Sequence, residues 1–137
     1  STNLPFILKG IMTPEEAKLA VEVGAKAIVV SNHGGRILDH TQSTARVLPE
    51  IKEAIDGQIM VLVDGGIRSG VDVFKMLALG ADGVLIGRPI VIGAFGGYKE
   101  GVSLVLNNMK NELYQAMILT GCKDLASIDS SKISVEW

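Results

Sequence analysis

Three short runs of this 137-residue chain combine side chains that could bind and transform a small anion. The first is Ser31-Asn32-His33-Gly34-Gly35-Arg36. Histidine is the side chain best suited to take a proton near neutral pH. An arginine three residues on can grip a carboxylate with a two-pronged hydrogen bond. The two glycines between them remove side-chain bulk, so a planar ligand could approach the backbone. The second run is Asp64-Gly65-Gly66-Ile67-Arg68, followed by Ser69-Gly70. Consecutive N–H groups without Cβ atoms at the start of a helix form an anion site, and Arg68 adds a full positive charge. Gly87-Arg88-Pro89 repeats that arrangement further along. Lys9, at the end of an apolar run, could stabilise negative charge on a bound cofactor or intermediate.

The elements that must position these groups can be read from hydrophobic patterning. Continuous apolar runs at 5–9, 27–31, 59–64 and 83–87 predict strands buried on both faces of a parallel sheet. Amphipathic helical patterns separate them. Thr13-Pro14-Glu15-Glu16 supplies an N-cap, a first-turn proline and two first-turn acids, and Gly24 closes that helix. Further helices are expected over 44–55, 69–79 and 93–120. The result is four βα units with short loops, hence a parallel sheet with right-handed crossovers.

Periodicity alone leaves a doubly wound sheet and a (β/α)8 barrel both open. The placement of the chemistry favours the barrel. Lys9, Ser31, Asp64 and Gly87 each close a predicted strand, and polar groups at successive strand ends mark a barrel's active face. Loops after strands seven and eight of such barrels commonly hold a phosphate, which matches the two Gly-Arg loops. Four units are half of an eight-stranded barrel, so residues 1–137 are expected to form its C-terminal half, with an N-terminal half outside the chain.

Composition removes other classes. Thirteen Lys+Arg against fifteen Asp+Glu, with a net charge of -2, leave no electrostatic footprint for nucleic acid or a membrane surface. Aromatic residues make up 4%, too few for a base-stacking platform. The single Cys122 cannot build a disulfide framework or a cysteine zinc site, and no residue is assigned to a metal. No apolar run is long enough to span a membrane, and nothing at the start reads as a signal peptide, so a cytoplasmic protein is expected.

Taken together, Leu8-Lys9-Gly10, Ser31-Asn32-His33-Gly34-Gly35-Arg36 with Asp39, Asp64-Gly65-Gly66-Ile67-Arg68 and Gly87-Arg88-Pro89 resemble the FMN-dependent α-hydroxy acid oxidase/dehydrogenase family. The Ser-Asn-His-Gly-Gly-Arg block is the specific part. The Asp-Gly-Gly-Ile-Arg and Gly80-to-Gly87 segments are shared with other phosphate-binding barrels, including nucleotide-binding ones, and a half-barrel module without turnover of its own is the other alternative. The resemblance implies that His33 is the base acting on a small L-2-hydroxy acid of the lactate/glycolate class, and that Arg36 binds its carboxylate. It implies that Lys9 lies against the N1/O2 edge of the flavin and that Ser31 touches the ring. Asp64 would hold the ribityl chain. Gly65, Gly66, Ile67, Arg68, Gly87 and Arg88 would hold the phosphate. A homo-oligomer is expected. The stretch His40-Thr41-Gln42-Ser43 departs from the proline-containing version common in the family.

Overall fold

A computed structural model describes residues 3–135 as four strands alternating with four helices. The outer positions of the expected 1–137 unit (Ser1, Thr2, Glu136 and Trp137) lie outside the described residues. The order is β1 (Ile7–Ile11), α1 (Pro14–Glu22), β2 (Ala27–Val30), α2 (Thr44–Ile55), β3 (Met60–Val63), α3 (Gly70–Ala78), β4 (Gly83–Val84) and α4 (Arg88–Thr120). Among the described residues no helix is long and apolar enough to cross a membrane.

Local chemistry explains the helix starts. Thr13 Oγ1 accepts from Glu16 N at 3.2 Å while Glu16 Oε2 accepts from Thr13 N at 3.2 Å, and Pro14 occupies the first turn. Ser69 and Asp72 form the same reciprocal box at α3. Helix α4 begins at Arg88 rather than at 93, because Gly87-Arg88-Pro89 starts a helix instead of a loop. It then breaks at Gly97 and Tyr98, giving a short segment followed by a long one.

All strand pairs are parallel and lie in the order β1-β2-β3-β4. That order decides between the two folds left open by periodicity. A right-handed crossover that always steps in the same direction puts every helix on the same face of the sheet, whereas a doubly wound sheet reverses direction. Ile28, Val30, Val61 and Val63, all fully buried, point to the helix side and pack with Ala17 and Ala20 of α1 and Leu48, Ile51 and Ile55 of α2. By alternation the opposite face carries Ile7, Lys9, Val29, Ser31, Met60, Leu62 and Asp64. At its margins Ile7 and Met60 are more than half exposed. The architecture is four consecutive βα units of a TIM barrel, half the number in a closed one.

Two strands differ from expectation. β4 is limited to Gly83 and Val84, with Asp82 N and Leu85 N donating to the Val61 and Val63 carbonyls on either side of it. β1 runs two residues later than predicted, so Lys9 is inside the strand and not at its end. The cause is a slip in register, with Lys9 opposite Val29 and Ile11 opposite Val30. Gly10, at φ +105°, is the extra residue. Leu8 and Ile11 both pack on the helix-side core, leaving Lys9 and Gly10 together for the other face.

Candidate active site

The sheet's C-terminal rim carries a cleft of about 440 Å³. Lys9, His33, Arg36, Asp64, Gly65, Gly66, Ile67, Arg68, Gly87 and Arg88 all border it, joined by Gly34, Leu85 and Val91. Residues as far apart in the chain as Lys9 and Val91 therefore meet at one opening. Ser31 alone among the expected site residues does not line the cleft; it lies beneath, 1% exposed.

The floor is a linked set of charges. Lys9 Nζ donates to Ser31 Oγ at 2.8 Å and pairs with Asp64 Oδ2 at 2.8 Å. Ser31 Oγ also accepts from His33 N at 3.2 Å, tying the lysine to the turn above it. Asp64 is anchored at its main chain, where its carbonyl accepts from Thr44 Oγ1 at 2.6 Å. Its Oδ1 is buried and has no hydrogen-bond partner.

His33 opens a single 3₁₀ turn, His33–Gly35, directly after β2. Its φ of +54° is rare for a non-glycine residue. Neighbours hold it there: Gly34 N donates to Asn32 Oδ1 at 3.0 Å, and Arg36 Nε donates to the His33 carbonyl at 3.1 Å. The Arg36 bond uses only Nε, which leaves both terminal nitrogens for a ligand carboxylate. The turn thus couples an imidazole and a guanidinium through the backbone of one residue.

The Gly-rich loop after β3 is shaped by Asp72. Its Oδ2 accepts from Arg68 N at 2.9 Å, Ser69 N at 3.0 Å and Ser69 Oγ at 2.9 Å. Glu112, from distant α4, accepts from Gly70 N at 2.6 Å. Helix α4 has no side-chain cap at Gly87. Pro89 carries no N–H and Ile90 N already donates to the Gly87 carbonyl at 3.0 Å, so the helix start offers Arg88 N, beside the exposed side chains of Arg68 and Arg88. Asp72 was findable in the sequence as the fourth residue of a Ser-x-x-Asp capping box. Thr44, Glu112, Leu85 and Val91 carry no such signal, because only the tertiary fold brings them to the loops.

The residues present suit FMN. An uncapped helix start with two guanidinium groups fits a phosphate dianion. Asp64 Oδ1, an acceptor that no donor in the described chain satisfies, fits a hydroxyl-bearing chain. The cleft volume falls within the roughly 300–1,000 Å³ typical of cofactor sites. The fold and site define a βα-barrel unit whose mouth brings together an imidazole, a guanidinium fork and an uncapped helix start flanked by two arginines.

Comparison with known proteins narrows this class. The sequence model of the FMN-dependent dehydrogenases matches residues 1–135, and the chain belongs to that family, whose cofactor is FMN. It is 48% identical over 136 residues to glycolate oxidase of Spinacia oleracea, covering 99% of this chain and 37% of that protein. It is 53% identical over 128 residues to L-lactate oxidase of Nostoc sp., covering 93% of this chain and 35% of the relative. A crystal structure of mandelate oxidase with benzoyl-formic acid superposes with a TM-score of 0.90 at 47% identity, over 93% of this chain and 38% of that one. The chain therefore spans a little over a third of the length of these relatives.

Proposed function

We propose that this chain is the C-terminal, base-bearing half of a flavoenzyme that oxidises a small L-2-hydroxy acid to the 2-keto acid. The observation that carries the reading is the turn joining His33 to Arg36 above the Lys9–Asp64 floor. Relatives named for glycolate and lactate support the substrate class.

Arg36 would hold the carboxylate with its two free terminal nitrogens, which fixes the direction in which the α-carbon faces. His33 would take the proton that the hydroxy acid must lose. FMN, when bound, supplies the two-electron acceptor. Lys9 would set its ammonium against the N1/O2 edge of the ring, and Ser31 would touch the ring while keeping Lys9 and His33 in place. Asp64 would accept from the ribityl hydroxyls. Gly65 to Arg68, with Gly87 and Arg88, would hold the phosphate. Cytoplasmic location and self-association belong to the same proposal, tested by fractionation and sedimentation.

The test is anaerobic mixing of the complete FMN-loaded protein with L-lactate or glycolate, following the flavin absorbance. His33→Gln is expected to keep the flavin and to slow its bleaching by about 10²–10⁴-fold, the usual cost of removing a general base. Bleaching at the unsubstituted rate would remove His33 from this role. A phosphate-binding module without turnover would bind FMN and show no bleaching before or after substitution.

A further inference from the structure

We infer that Gly10 is a positioning residue for His33, resting on the function proposed above. The main chain of His33 is pinned by Ser31 Oγ on its N–H and by Arg36 Nε on its carbonyl. Neither bond reaches the imidazole. The ring lies instead against Gly10. A Cβ built there would stand 2.9 Å from His33 Cε1, 3.8 Å from Nδ1 and 3.9 Å from Nε2. The near-equal distances to the two nitrogens show that the ring's Cε1 corner points at Gly10, with Nδ1 and Nε2 to either side.

Two non-bonded carbons rest at about 3.5–4.0 Å, so any side chain at position 10 drives the ring away by on the order of 1 Å. His33 cannot answer by shifting its backbone, which already holds a φ of +54° through two hydrogen bonds. The ring must move instead, and it carries the base with it. The register slip in β1 is what brings Gly10 to this face at all. With regular alternation only one of Lys9 and Gly10 would face the cleft. One extra residue in β1 thus places the cation and the seat of the base side by side.

Gly10 also has a positive φ, so an alanine there is strained whatever it touches. Gly24 supplies the control: its φ is +83°, and nothing lies within 4 Å of a Cβ built on it. Gly24→Ala therefore carries the backbone strain without the contact.

In the complete FMN-loaded protein, Gly10→Ala is expected to slow anaerobic flavin reduction by a 2-hydroxy acid by about 10²-fold, the cost of a 1 Å misplacement at a reacting centre. Affinity for the 2-keto acid, which depends on Arg36, should change little. Gly24→Ala should leave the reduction rate as it is. A second measurement needs no turnover. The loss of melting temperature caused by Gly10→Ala should be smaller when His33 is already alanine, because the clashing ring is gone. Equal losses in both backgrounds, or a reduction rate no lower than that of Gly24→Ala, would overturn the inference. Should Gly10→Ala alone fail to fold, recovery of folded protein in Gly10→Ala/His33→Ala supports the contact, and failure of both overturns it. If no 2-hydroxy acid bleaches the unsubstituted protein, the proposed function fails while the melting-temperature comparison still decides the contact.

Discussion

At the scale of single residues, the site works by placement rather than by strong bonds. The Lys9 and Asp64 side chains are 42% and 20% exposed, and a half-open ion pair contributes only about 0–1 kcal/mol to stability. Its value is that it fixes an ammonium group at the cleft floor. Arg36 is similar: one bond to the His33 carbonyl orients the guanidinium and leaves its fork free. Arg36→Lys keeps the charge and loses the fork. In the complete protein it is expected to weaken binding of hydroxy acids and slow flavin reduction, with the FMN content unchanged. Stopped-flow reduction across a substrate concentration series checks this, and unchanged kinetics would take Arg36 out of the substrate site.

At the scale of elements, α2 stands behind the site and stiffens it. Its Leu48, Ile51 and Ile55 are fully buried against β2 and β3, and its first residue, Thr44, bonds the Asp64 carbonyl. The strand ends that carry Ser31 and Asp64 therefore depend on how well α2 packs. Ile51→Ala is expected to cost about 2–5 kcal/mol, as large-to-small core substitutions do. Urea unfolding of the complete protein measures it, and a loss under 1 kcal/mol would mean that the helix relaxes into the gap. Helix α4 also reaches the site, where Glu112 accepts from Gly70 N and so joins the distal helix body to the Gly-rich loop.

At the scale of the whole molecule, the sheet is one-sided. Among the described residues β1 and β4 each have one neighbour, and Ile7 and Met60 lie exposed on the face turned away from the helices. Unpaired strand edges and uncovered apolar side chains drive association. The isolated 137-residue chain is expected to sediment as more than a monomer or to unfold at low urea, and to oxidise no hydroxy acid. Analytical ultracentrifugation with a flavin-coupled assay checks both. A stable, FMN-loaded, active monomer would refute the reading of this unit as half of a catalytic barrel.

Much of this was legible in the chain itself. Helix starts are local chemistry, so Thr13-Pro14-Glu15-Glu16 announces α1 without help from any distant residue. The His33/Arg36 pair was equally plain, because both groups sit on one turn of six residues. What local pattern could not set was register and direction. Nothing in Leu8-Lys9-Gly10-Ile11 alone says that the strand slips by one against β2, since a slip is defined only by the partner strand. The contact of α4 with the Gly-rich loop likewise needed the fold, because Glu112 and Gly70 stand 42 residues apart. The choice between a doubly wound sheet and a barrel lay in the order β1-β2-β3-β4, a property of which strands meet. The sequence by itself determined which side chains could do chemistry and which segments would carry them. Only the tertiary structure decided that they share one cleft, and that the His33 ring rests on Gly10, because both depend on contacts between residues far apart in the chain.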